Sequence, residues 1–325
     1  MSFNSDFNYK KMIIMEKKII IVISILLSCV ASYSQPKHYR GIDRKLDKVK
    51  TLDMANMRIS YSLEFVPDST ESQKKWKDSK ILLIGDKIQH FYSKYSRMQD
   101  SVATQAKQAY RPYSPPTGEC AERYDIYYNY PEDKLTVIDN ITIFQMHVFN
   151  EDLPITKLEW NITSETKTIL NHLCYKASSN FRGRKWEAWF TMEIPINAGP
   201  WKLRGLPGLI LKASDERNHY VFECTGIEKL KQPEPIIMYE AAYPAASNPK
   251  HTGTREYYYQ SLREFHENYV NSLLSIGYSI RVFNDAGDIV EHIETTNPRE
   301  KMSWGTTIHL RDRYRKIPYN PIELE

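Results

Sequence analysis

The chain has 325 residues, of which 44 are Lys or Arg and 40 are Asp or Glu, giving a formal net charge of +4. Residues 1–34 hold four lysines and two acids, so the remainder carries 40 basic and 38 acidic residues, a net charge of +2. That near balance argues against a nucleic-acid partner, which calls for a concentrated basic face, and the length is ample for a sizeable hydrophobic core.

The first segment reads as a processing signal. Lys11, Lys17 and Lys18 precede a short apolar run at 19–27, broken once by Ser24. Such a run is too short to span a bilayer as a helix, which takes about 20 residues. The pattern predicts a signal peptide starting at Met15, with residues 1–14 an upstream extension. Cleavage is expected before Gln35, after the small residues Ser32 and Ser34. In an alternative reading Leu26-Leu27-Ser28-Cys29 is a lipobox and Cys29 anchors an outer-membrane lipoprotein. Both readings export the chain, to the periplasm or beyond. Residues 35–325 are then expected to form a single β-rich domain, with no later stretch apolar enough to cross a membrane.

Residues 36–56 are polar and suggest a tether followed by a short helix. Strict alternation at 57–65, with Met57, Ile59, Tyr61, Leu63 and Phe65 on one side, predicts a half-buried strand. A hairpin is expected at 80–92 around a Gly85-Asp86 loop, and a helix at 100–110. The Pro-rich stretch 111–118 reads as a loop. Further strands are predicted at 124–130, 134–149, 157–162, 170–178, 185–192 and 220–228. Strands at about ten-residue spacing with short polar turns indicate an antiparallel sheet and not βαβ units. Around and beyond residue 234, Pro233, Pro235, Pro244 and Pro249 predict an irregular connection. Tyr258, Leu262, Phe265, Tyr269 and Leu273 then form a helical stripe across 255–274. A small hairpin at 278–293 and a basic, extended tail at 311–321 complete the chain. The expected fold is mainly β: a single curved antiparallel sheet or open half-barrel with one or two packed helices.

The most strongly specified stretch is 194–211. Leu206-Pro207-Gly208-Leu209 predicts a type II turn with Pro207 at its second position and Gly208 at its third, where φ > 0. The turn feeds Leu209-Ile210-Leu211, an apolar run suited to a buried strand.

Local spacing offers little chemistry. The nine histidines form no HxH or HExxH pair and the cysteines no CxxC pair, so no metal or other cofactor is predicted. There is no G-x-S-x-G elbow and no phosphate loop. His172 and Cys174 share a strand face, a spacing common by chance. Cys174 and Cys224 are the pair best placed for a disulfide, with Cys120 left over, unless all three are buried small hydrophobes. Around the motif, Arg182, Arg184, Trp189 and Lys202 make a candidate binding surface for a glycan or an acidic headgroup. The alternative is core packing of rings and arginine stems.

Phe181-Arg182-Gly183-Arg184, Trp189-Phe190-Thr191, Gly199-Pro200-Trp201-Lys202 and Gly205-Leu206-Pro207-Gly208-Leu209-Ile210 resemble the GLPGLI family over residues 160–228. These are exported proteins of Gram-negative bacteria with no known biochemical function. Residues 319–325 look like that family's C-terminus. The resemblance implies a β-rich envelope protein, brings no catalytic residues, and makes the motif mainly structural. On this basis the expected function is a non-enzymatic binding or accessory protein of the periplasm or outer membrane, with an outer-membrane protein or an apolar ligand as partner. The alternatives are a hydrolase-type enzyme using Asp215 or Glu193 with Arg182 or Arg184, and a purely structural envelope component. The oligomeric state is open.

Overall fold

Alternation of period two builds most of the molecule. In β1 (Val49–Phe65), Ile59, Tyr61, Leu63 and Phe65 are buried while Ser62 is exposed, which commits one face to a core. The structure, a computed structural model, describes residues 46–110, 122, 124–141, 146–153, 158–240, 253–275, 279–284, 286–294, 307–311 and 319–324. The expected signal peptide with Cys29, the 111–118 loop, Cys120 and most of the basic tail lie outside those residues.

β1 is followed by β2 (Trp76–Gly85), β3 (Gln89–Ser93), β4 (Asp125–Tyr128), β5 (Lys134–Asn140) and β6 (Met146–Asp152). Then come β7 (Asn161–Ile169), β8 (His172–Phe181), β9 (Arg184–Thr191), β10 (Leu209–Asp215) and β11 (Tyr220–Tyr239). All pair antiparallel in one sheet, in the order β6-β5-β4-β3-β2-β1-β11-β10-β9-β8-β7. The chain meanders from β1 out to β6, restarts at the opposite edge with β7, and returns until β11 lies beside β1. The two edges do not pair, so the sheet is not closed into a barrel. Phe149 of β6 nevertheless shares one buried cluster with Cys174 of β8 and Trp186 of β9. Strands so far apart in the order meet only if the sheet curls over that core. The fold is mainly β, as the periodicity predicts.

A second cluster, including Ala55, Ile81, Leu83, Tyr127 and Ile236, fills the other face. There α1 (Lys94–Gln108), capped by the Ser93 hydroxyl accepting from Ser96 N, is tied to β11 by Arg97 Nη1 donating to Tyr239 OH at 3.0 Å. On the main core, α2 (Arg255–Glu267) buries Tyr258 and Leu262, and Tyr258 OH donates to Asp139 at 2.5 Å. α3 (Tyr269–Ser275) packs Leu273 and Leu274 against Ile280 and Val282 of β12 (Ser279–Phe283). β12 pairs antiparallel with β13 (Ile289–Ile293) and parallel with β14 (Thr307–Arg311).

Several local expectations are corrected. Residues 49–56 extend β1 and form neither tether nor helix, because β11 supplies a long partner from Val49↔Tyr239 onward. The run 134–149 is two strands, β5 and β6, paired with each other. Residues 158–160 are not strand; β7 begins at Asn161, and the β7–β8 hairpin turns on Leu170 and Asn171, both with positive φ. The β2–β3 loop is Asp86-Lys87, closed by Gly85 N donating to Ile88 O at 2.9 Å. Pro233 and Pro235 lie inside β11. β10 pairs with β11 only at 221–223, and the register with β1 skips 230–233, so Pro233 falls where neither neighbour pairs. The long helix breaks at Asn268. Cys174 and Cys224 are buried free thiols, not a disulfide.

Candidate functional site

The central motif packs back onto the sheet. Leu209 N donates to Ile194 O and Ile210 N to Ala198 O, both at 3.0 Å, fastening the 192–208 loop to the start of β10. Gly208 does not have positive φ; that conformation falls on Gly205 (φ 96) and on Trp201 (φ 51), so the type II turn is not formed. Gly208 is required for another reason. A Cβ there would sit 2.0 Å from Thr191 O, inside the backbone of β9. Gly199 is likewise pressed against Leu203 O, where a Cβ would sit 2.4 Å away. Trp201 is buried against Trp186 and Phe181, with ring centroids 5.4 and 5.6 Å apart. Leu203, Leu206, Leu209 and Ile210 are all core residues, and Pro200, also buried, closes a turn by accepting from Leu203 N.

The motif's charged neighbours converge on the segment 319–324. The β8–β9 hairpin turns on Arg182 (φ 52) and Gly183 (φ 71), a two-residue turn of the primed kind, and so places Arg182 at its tip. Arg184 opens β9 and Asp215 ends β10, on the same face. Arg184 Nη1 contacts Asp215 Oδ2 at 2.8 Å, with both side chains 3 % exposed. The rest of the guanidinium grips the C-terminal segment: Nε to Ile322 O at 3.0 Å, and Nη2 to Asn320 Oδ1 at 2.9 Å and Pro321 O at 2.6 Å. Asp215 Oδ1 accepts from Tyr220 N at 2.8 Å. A second knot is centred on Glu323, fully enclosed, which accepts from Lys202 Nζ and Arg255 Nε, each at 2.5 Å. Glu151 of β6 is bound by both Lys202 and Arg182. Burial raises the Glu323 carboxyl, but the Lys202 and Arg255 cations outweigh it and hold the group below the ordinary carboxylate range.

Thus three members of the candidate surface, Arg182, Arg184 and Lys202, do come together, as a largely buried clamp on residues 319–324 with Arg182 partly exposed. Arg184 and Lys202 are buried. Trp189 lies on the opposite face of β9 from Arg184 and Trp186, beneath Lys167 Nζ at 3.7 Å. Glu193 is also elsewhere, paired with His172 at 2.6 Å.

Beside the clamp lies a cleft of about 300 Å³. Its walls include His219, Tyr259, Tyr319, Asn320, Arg217 and Arg263, with Arg184 and Glu323 also lining it. Sequence reading missed it, because its residues come from the β10–β11 turn, α2 and the C-terminal segment, which no local spacing connects. The Asn320 amide has one possible orientation: Oδ1 accepts from Arg184, and the two Nδ2 hydrogens go to Val66 O at 2.6 Å and His219 Nδ1 at 3.2 Å. His219 Nδ1 is therefore the acceptor, and the ring proton sits on Nε2. Among the described residues, no group of three or more His, Cys, Asp or Glu is placed to hold a metal ion.

No curated protein matches this chain. Two solved structures of PNGF-II resemble it weakly. The P21 crystal form is 18 % identical over 55 % of this chain and 29 % of that one, with a TM-score of 0.37. The C2 form is 17 % identical over 66 % and 34 %, with a TM-score of 0.40. The chain thus spans about a third of the length of the solved chains it matches. Residues 120–244, less than half of the chain, match the family model described as the N-terminal domain of N-glycanase peptide. That match encloses Gly205-Leu206-Pro207-Gly208-Leu209-Ile210 and corrects the GLPGLI assignment: the stretch that suggested a family of unknown function is similar to a domain of an N-glycanase.

Proposed function

We propose that this chain is a hydrolase-type protein acting on N-glycosylated peptides, with the sugar seated in the cleft beside the C-terminal clamp. The match of residues 120–244 to an N-glycanase domain carries this reading, and it replaces the expected non-enzymatic accessory role. The cleft supports it. About 300 Å³ admits a sugar ring, two tyrosine side chains line the cleft, and the fixed His219 ring offers a hydrogen bond. Asp215 and Glu323 are committed to cations, so they orient the arginines. His219, its Nδ1 held by Asn320, turns its Nε2–H on the cleft as a hydrogen-bond donor. The basic and apolar run at 11–27 supports an exported protein.

The test is to incubate the full chain with a dye-labelled N-glycosylated peptide and follow mass. Water adding across the glycan–asparagine amide leaves aspartate in the peptide and frees the glycan's amine. Release by the wild type, lost in His219→Ala with the fold retained, is the expected result. An unchanged glycopeptide would rule out hydrolysis.

A further inference from the structure

Arg217 and Arg263 both border the cleft and, among the described residues, neither side chain makes a hydrogen bond or ion pair. They come from separate elements, Arg217 from the exposed turn after β10 and Arg263 from the exposed side of α2. The other charges at the cleft are already matched. Arg184 is taken by Asp215, and Glu323 by Lys202 and Arg255. Two unmatched guanidinium groups therefore border a small cleft and give it a positive bias. His219, with its proton on Nε2, brings a donor and no negative charge.

We infer that the cleft binds a sugar bearing an oxyanion substituent, a carboxylate or a sulfate, with Arg217 and Arg263 on the oxyanion and Tyr259 and Tyr319 against the ring. Planar guanidinium groups match either oxyanion with two parallel hydrogen bonds. This assignment rests on the proposed function only in taking the ligand to be a carbohydrate.

The test is calorimetric titration of the full chain at low salt with four probes. These are uncharged di-N-acetylchitobiose, the same disaccharide carrying a 6-sulfate, a glucuronate-containing disaccharide, and inorganic sulfate alone. Both acidic sugars should bind about tenfold or more tighter than the neutral one, and Arg217→Gln and Arg263→Gln should each remove about tenfold of that advantage. Raising the salt should narrow the gap. Both arginines are exposed, so circular dichroism should show an unchanged fold. Equal affinity for neutral and acidic sugars, acidic binding untouched by the two substitutions, or no binding would each overturn the inference. Inorganic sulfate binding as tightly as the sulfated sugar would overturn it too, leaving a bare anion site. The hydrolase reading fails on a different result: glycopeptide left intact while the acidic preference persists.

Discussion

Arg184 and Asp215 meet at 2.8 Å at the start of β9 and the end of β10, and the same guanidinium reaches three groups of the C-terminal segment. Asp215→Ala leaves that cation buried without its partner and should destabilise by about 3–5 kcal/mol. Replacing both, Arg184→Met with Asp215→Leu, should cost less than the two single changes added together. Urea unfolding of the four proteins measures the coupling, and strict additivity would show the pair to be independent.

Glu323 makes stability depend on acid. Its folded pKa lies below the ordinary value, so its contribution is full above the unfolded carboxylate pKa of about 4.3 and fades as pH falls through the folded value. Wild type should therefore exceed Glu323→Gln by a constant margin near neutral pH, and the margin should shrink below pH ~4. Urea midpoints taken across that range test it. A margin that grew in acid would reverse the assigned shift.

Gly208 and Gly205 are intolerant for different reasons. Gly208→Ala forces a methyl onto Thr191 O and should cost about 1–3 kcal/mol or more through overpacking. Gly205→Ala has room, with its nearest neighbour 3.6 Å away, and meets only the strain of φ 96, costing about 1 kcal/mol. The ranking of the two melting temperatures decides between contact and conformation.

The thiols of Cys174 and Cys224 should be inert. Burial pushes both up, Cys224 to about 11, so little thiolate exists at pH 8. Alkylation mapped by peptide mass should leave both unmodified in the native protein and modify both in urea. Modification of native Cys174 at the rate of a free thiol would contradict its enclosure.

Much of the sheet was legible because burial on one face imprints a period of two. The alternation at 57–65 and the strand at 185–192 follow directly from it, and the stripe from Tyr258 to Leu273 marks the helices. Legibility failed where a partner strand decides. Residues 49–56 and 229–239 show no clean alternation, yet each is held extended by the other. Pro233 and Pro235 argue for a loop, yet they lie in the part of β11 that β10 does not reach and where the β1 register skips 230–233. Positive φ was expected at Gly208, but Gly205 takes it, whereas Gly208 answers to the backbone of Thr191.

Arg182, Arg184 and Lys202 stood out in the sequence as a basic group near aromatic rings, open to core packing or to ligand binding. The tertiary structure supplies partners for Arg182 and Lys202, Glu151 from the far edge of the sheet and Glu323 from near the end of the chain. By itself the sequence determined the mainly β class, the strand–turn rhythm and the importance of 194–211, because these depend on neighbours along the chain. The clamp, the cleft and the unmatched Arg217 and Arg263 depend on the curl of an eleven-stranded sheet, which joins residues more than a hundred positions apart through contacts that leave no local period.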